Sequence, residues 1–217
     1  MPPALVIFDC DGVLVDSERM EVGTLAEALT WVGCDLDAAG LHDRNRGGVL
    51  ADLFALIEDD LGGPLPDWYE ARYRALQIER LHSVDPVPGA PDVVDAVVRA
   101  GLPRCVVSGG PMAKMRASLG ATGLWEAFDP HLYSCYDIDD HKPSPGIYLH
   151  ALGVFGAPPT ECLAIEDSVN GVRSAASAGV PVIGLARDTL ADDLVAAGAF
   201  GTIASMHALT SIIPARF

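Results

Sequence analysis

The chain has 217 residues, 50% of them hydrophobic, and carries a formal net charge of −16 with a pI near 4.5. That content supports a well-buried core and excludes a disordered chain, and the length allows one large domain or a domain with a sizeable insertion. So acidic a surface excludes nucleic acid and anionic membranes as partners; it also repels phosphorylated molecules at long range, so a site for one needs a local metal ion or placed Lys and Arg.

Residues Ala4 to Phe8 form an apolar run of the length expected for a strand buried on both faces. The run stops at Asp9-Cys10-Asp11-Gly12. Side chains alternate along a strand, so Asp9 and Asp11 can point to the same side. Two close carboxylates repel unless a cation or shared proton intervenes, which points to a hard divalent metal with oxygen ligands. The five cysteines are an odd number without a Cys-x-x-Cys pair. Buried, reduced thiols in a cytoplasmic protein are expected. The N-terminus lacks a basic segment before its short apolar run, and no stretch is long enough to span a membrane.

Between Arg19 and His82 the pattern is helical. Leu25, Leu29 and Val32 share one spacing. Leu50, Leu53, Phe54, Ile57 and Leu61 share a second, closed by Gly62-Gly63-Pro64. Tyr69, Tyr73 and Leu76 mark a third. Residues 83–89, with two prolines and a glycine, read as a linker. Beyond it strands and helices alternate. A helix bearing Val93, Val94, Val97 and Val98 ends at Gly101. A strand at Arg104–Val107 is followed by a helix at Met112–Leu119. A weaker strand lies near His131–Cys135, with a helix at Ile147–Val154. A strand at Cys162–Ile165 precedes a helix at Ser168–Ala178, with Val169, Val172 and Ala176 facing inward. A last strand covers Val180–Leu185. This alternation argues for an α/β, doubly wound parallel sheet. Residues 1–15 and 86–217 are expected to form the catalytic core, and residues 16–85 an inserted helical cap on hinge linkers that can close over a site.

In a parallel sheet the carboxyl ends of the strands share one edge, where ligands bind. Asp9 and Asp11 follow the first strand. Ser108 follows the second, with Gly109 and Gly110 letting the backbone approach a ligand. His141-Lys142-Pro143 is expected to open a helix after the third strand, and Glu166-Asp167 follow the fourth. Taken singly, Ser108 reads as a turn residue, Lys142 as a solvated lysine and Glu166-Asp167 as acids favouring a helix start. Together they make a set for phosphoryl transfer to a carboxylate. Asp9 attacks, Asp11 protonates the leaving oxygen and later activates water, Lys142 offsets charge, and Ser108 with backbone N–H groups donates to phosphate oxygens. Mg²⁺ bridging the nucleophile and the phosphate, with Asp167 or Glu166 helping to hold it, completes it.

The segment Asp9-Cys10-Asp11-Gly12-Val13-Leu14-Val15-Asp16-Ser17-Glu18 resembles the first signature of the haloacid dehalogenase-like hydrolases, in the branch with a helical cap. Ser108, Lys142 and the run Ile165-Glu166-Asp167-Ser168-Val169-Asn170-Gly171 match the later signatures in order. The resemblance implies a Rossmann-like core and the same roles: Asp9 the nucleophile, Asp11 the general acid/base, the acidic pair with Asp9 and the backbone oxygen of Asp11 on the metal. An acid at position 11 argues against dehalogenase and phosphonate-cleaving chemistry, where relatives lack it. β-Phosphoglucomutase relatives carry a histidine where this chain has Glu21 and a cap arginine where it has Leu50, although Arg46-Gly47 resembles their basic-Gly pair. The second signature, Ser108-Gly109-Gly110-Pro111-Met112-Ala113-Lys114-Met115, is similar to that of phosphatases acting on sugar phosphates and phosphogluconate.

The expected activity is therefore a Mg²⁺-dependent phosphatase of a small sugar or sugar-acid phosphate, with Glu18, Arg46, Gly47, Gly109, Gly110 and Lys114 as substrate contacts. A phosphosugar mutase and a non-catalytic phosphate- and metal-binding regulator are the alternatives, and both a monomer and a homo-oligomer fit the sequence.

Overall fold

The strand β1 (Leu5–Phe8) is buried along its whole length and lies at the centre of a six-stranded, fully parallel sheet. The other strands are β2 (Arg104–Ser108), β3 (Leu132–Ser134), β4 (Cys162–Glu166), β5 (Val182–Leu185) and β6 (Gly201–Ile203), in the order β3-β2-β1-β4-β5-β6. The computed structural model describes residues 2–212. Met1 and residues 213–217 of the expected core lie outside the described residues.

Alternation along the strands assigns the two faces. Val6, Phe8, Val106, Leu163 and Ile165 pack with one set of helices, α5 (Ala90–Arg99), α6 (Met112–Ala121) and α7 (Trp125–Phe128), joined by α12 (Leu209–Ile212). Leu5, Ile7, Cys105, Val107 and Ala164 pack on the other side with α9 (Gly146–Phe155), α10 (Val169–Ser177) and α11 (Ala191–Ala197). The short α8 (Cys135–Ile138) leads from β3 towards α9. All five cysteines are buried and free, and among the described residues no helix is long and apolar enough to cross a membrane.

Between β1 and α5 the chain makes a helical layer of α1 (Glu18–Thr30), α2 (Ala38–Arg44), α3 (Leu50–Leu61) and α4 (Tyr69–Leu81). It has its own apolar cluster around Leu25, Ile57, Tyr69 and Tyr73. Gly62 ends α3 in a left-handed conformation, φ +68°. The helix α2 is absent from the three predicted stripes, because seven residues with two buried positions give too little period to see. Its start is set locally, by the Asp37 side chain accepting from Ala39 N–H (3.2 Å) and Gly40 N–H (3.0 Å).

The two passages between layers are paired rather than loose. Val15 bridges Pro86 in antiparallel fashion, Asp16 N–H donates to Asp85 O (3.0 Å) and Val87 N–H to Leu14 O (3.0 Å). Arg187, just past β5, grips the Asp16 carboxylate through both oxygens at 3.1 Å.

Three local readings change. Lys142 does not open a helix; α9 begins at Gly146, because Pro143 and Pro145 interrupt the approach. The inward stripe of α10 is Gly171, Val172, Ser174 and Ala175 rather than Val169, Val172 and Ala176. The helix sits too close to Glu166 for larger groups, and a Cβ on Gly171 would collide with that carboxylate. Val98 turns to solvent at 40% exposure, so the apolar face of α5 is narrower than the valine spacing suggests.

Candidate active site

From β1 the chain proceeds to β2 and β3 on one side and to β4, β5 and β6 on the other. The gap in the loops at this switch point is where open α/β sheets bind ligands. Asp9 continues the parity of Leu5 and Ile7, and Glu166 that of Cys162 and Ala164. The pairing of Ile7 with Ala164 therefore sets Asp9 beside Glu166. Lys142, 7% exposed, fills the space between them. Its Nζ lies 2.7 Å from Asp9 Oδ1, 2.5 Å from Glu166 Oε1 and 3.3 Å from Val107 O. The Tyr148 hydroxyl donates to the same Glu166 oxygen at 2.5 Å.

One oxygen each from Asp9, Glu166 and Asp167 fall within 4.8 Å of one another. Burial, and then Glu166 alongside, push the Asp9 carboxyl up to about 7 against the pull of Lys142. Burial and the Asp9 charge likewise raise Asp167 well above the usual carboxylate range. Glu166 Oε2 is buried without a hydrogen-bond partner among the described residues. Gly12, at φ +72°, passes so close to Asp167 that a side chain there would collide with its carboxylate. Excess buried negative charge, an unpaired oxygen and an all-oxygen donor set together fit a hard divalent cation.

The Asp11 carboxylate stays out of this group. Ser17 donates to its Oδ1 at 2.8 Å and Lys114 Nζ lies 3.0 Å from its Oδ2. Burial pushes this carboxyl up, but Lys114 and Ser17 outweigh it and hold it below its ordinary value. Lys114 also meets Glu21 of α1 at 2.9 Å, and Gln77 of α4 donates to both Glu21 oxygens at 3.0 and 2.8 Å. Lys114 thus ties the sheet edge to the helical layer.

A cavity of about 170 Å³ lies between the two layers, bounded below by Asp9, Asp11, Lys142 and Asp167. Gly109 and Gly110 form its floor near β2. Ser108 itself sits behind them, its Oγ accepting the Gly110 N–H at 3.0 Å. On the helical side Arg46 pairs with Glu18 and, at 2.7 Å, with Asp43. Burial raises the Glu18 carboxyl to about 7 despite Arg46. Gly47 accepts from Asn170 at 3.3 Å, closing the seam between layers on that side.

Several lining groups escaped the sequence reading: His42, Arg74, Gln77 and Tyr136. Gln77 offered one signal, a polar residue one helical turn beyond Tyr73 on an apolar face. Tyr148, which fixes Glu166 from behind, offered none.

The haloacid dehalogenase-like hydrolase family model matches residues 3–179. A 6-phosphogluconate phosphatase of Escherichia coli is 31% identical over 179 residues, spanning 82% of this chain and 80% of that protein. The protein CbbY of Rhodobacter capsulatus is 31% identical over 191 residues, 82% of this chain and 83% of that one. Among solved structures, a conserved haloacid dehalogenase-like protein of Agrobacterium tumefaciens superimposes with a TM-score of 0.81 at 33% identity, covering 98% of each chain. The chain belongs to the haloacid dehalogenase-like hydrolases. It is an enzyme of that family, with the parallel Rossmann-like core and the helical layer of the cap-bearing branch.

Proposed function

We propose that this chain is a Mg²⁺-dependent phosphatase of a small phosphorylated sugar or sugar acid. The observation that carries the reading is the opposite treatment of two neighbouring carboxylates. Asp9 sits in a buried anionic cluster matched to a cation, whereas Asp11 is held apart by Lys114 and Ser17. Asp9, once its cluster holds a cation, would be ionised and so able to act as the nucleophile, while Asp11, outside the cluster, is left to handle protons. The name of the E. coli relative, a 6-phosphogluconate phosphatase, supports a phosphorylated substrate.

Asp9, Glu166, Asp167 and the backbone oxygen of Asp11 would hold the ion, which when bound supplies charge neutralisation for the nucleophile and the phosphate oxygens. Lys142, already on Asp9, favours its ionised form against burial and orients it. An Asp9 oxygen attacks phosphorus and the ester P–O bond breaks, while Asp11 gives its proton to the leaving alkoxide. Arrival of a phosphate dianion beside Asp11 opposes its negative charge and raises its proton affinity for this step. Asp11 then takes a proton from water as the water oxygen attacks phosphorus, the Asp9 O–P bond breaks and inorganic phosphate leaves. Residues 16–85, swinging on the paired linkers, would act as the cap that keeps bulk water out.

The test is phosphate release over a panel of phosphorylated sugars, polyols and sugar acids with Mg²⁺ present. Asp9→Asn abolishes it, and Asp11→Asn lowers it by about 10²–10⁴. Silence of the wild-type chain on the whole panel would sink the phosphatase reading. Transfer between positions of glucose 1-phosphate without phosphate release would install the mutase instead. Phosphate binding without turnover would install the regulator.

A further inference from the structure

Four cationic side chains line the cavity: Lys142, Lys114, Arg46 and Arg74. Three are each enclosed by two carboxylates. Lys142 lies between Asp9 and Glu166, Lys114 between Asp11 and Glu21, and Arg46 between Glu18 and Asp43. Without a bound cation the local balance at each is negative; the cation would offset it for the phosphate at Lys142, whereas at Lys114 and Arg46 a further anion would be repelled unless a pair broke.

Arg74 differs. Among the described residues its one carboxylate partner is Glu70, one turn earlier on the same helix, joined to Nε at 2.8 Å. Glu70 is 57% exposed, against 30% for Arg74. A solvated i,i+4 pair of this kind holds its partners weakly. The guanidinium lies over the Tyr136 ring, 5.4 Å from its centroid, with Nη2 3.5 Å from the hydroxyl. Tyr136 belongs to the sheet layer and Arg74 to the helical layer, and both line the cavity. The stack fixes the plane of the fork while leaving the Nη hydrogens without a carboxylate. A planar fork so presented matches a carboxylate in bidentate fashion.

We propose that Arg74 is a specificity-determining residue that recognises a carboxylate at the end of the substrate remote from its phosphate. The ligand class is then a phosphorylated sugar acid, rather than a neutral sugar phosphate or a bisphosphate. A single carboxylate balances the one uncommitted guanidinium. A second phosphate dianion would bring excess charge close to Glu18 and Glu21. The inference deepens the phosphatase reading, but it concerns binding and is tested without turnover.

The probes are 6-phosphogluconate and sorbitol 6-phosphate, which differ only in a terminal carboxylate against a hydroxymethyl group. Fructose 1,6-bisphosphate serves as the competitor that carries a second phosphate dianion. Binding is measured by calorimetry with Mg²⁺ on the Asp9→Asn protein, where hydrolysis is stopped. The expected result is a preference for the acid of about tenfold or more, the scale of one charge-assisted bidentate contact. Adding Arg74→Met removes that preference and leaves sorbitol 6-phosphate binding within about threefold, while Arg74→Lys retains part of it. Tyr136→Phe, which keeps the ring, retains most of it. Equal weakening of both ligands by Arg74→Met would assign Arg74 to closing the two layers and overturn the inference. So would tighter binding of the bisphosphate, or no preference in the parent protein. Phosphate release by the wild-type chain is scored separately and bears on the phosphatase reading alone.

Discussion

Lys142→Met keeps the buried stem and removes only the ammonium, which isolates what the charge contributes. At an effective dielectric of about 20, contacts of 2.7 Å to Asp9 and 2.5 Å to Glu166 each represent about 6 kcal/mol of attraction. Desolvating the ammonium offsets several kcal/mol of that sum. After the substitution Asp9 and Glu166 remain buried with no cation, beside Asp167 in the same 4.8 Å cluster. The expected loss of stability at pH 8, without metal, is about 3–5 kcal/mol, the range for leaving buried charge uncompensated. The loss depends on pH in a definite direction. The Asp9 carboxyl already stands at about 7 with Lys142 present, and its proton affinity rises further once the ammonium is gone. A carboxyl that binds its proton more tightly folded than unfolded stabilises the fold below its unfolded value. That contribution fades as pH climbs through the folded one. The variant therefore recovers on acidification, and the deficit shrinks to about 1–2 kcal/mol at pH 5. Urea unfolding followed by circular dichroism at pH 5, 6.5 and 8, in chelator, reads this directly. A deficit under about 1 kcal/mol at pH 8, or one that does not change with pH, would refute the electrostatic reasoning. Glu166→Gln in the same chain should return part of the loss.

Cation binding is linked to the same carboxyls. With Asp9 at about 7 and Asp167 raised as well, Mg²⁺ must displace at least one proton, so its apparent affinity rises about tenfold or more between pH 6 and pH 8. Calorimetry in buffers of different ionisation enthalpy counts the released proton, and a pH-independent affinity without release would contradict the site. Tyr148→Phe deletes the hydroxyl that donates to Glu166 at 2.5 Å; melting should show a loss of about 1.5–3 kcal/mol, as for a hydrogen bond to a charged group. An unchanged melting temperature would mean that Lys142 alone satisfies that oxygen.

Much of the core was legible because its signals are local. The apolar runs that became β1, β2, β4 and β5 are short, uninterrupted and closed by polar turn residues. Parallel strands necessarily present those turns at one edge, so the meeting of Asp9, Lys142, Glu166 and Asp167 followed from order and direction alone. The strand β6 was not read, because three residues of Gly, Thr and Ile carry no period. The cavity's upper wall was only partly legible. Glu18, Arg46 and Gly47 were picked by resemblance. Glu21 was noted only where a mutase would carry histidine, while its role in bridging Lys114 to Gln77 depends on how α1 packs against α4 and α6.

By itself the chain's order of residues determined the alternating architecture, the inserted helices and the acidic residues at the strand ends. Each of these is set by side-chain period, turn chemistry and the shared direction of parallel strands. Tertiary structure alone decided which charges neutralise one another. Lys114 joins Asp11 to Glu21, and Arg187 holds Asp16 across 171 positions. Such pairs leave no periodic trace, because a partner's identity depends on packing between elements that the local pattern does not encode. They nevertheless separate an Asp9 that calls for a cation from an Asp11 that does not, and among the described residues they leave Arg74 as a cavity cation without a buried counter-charge.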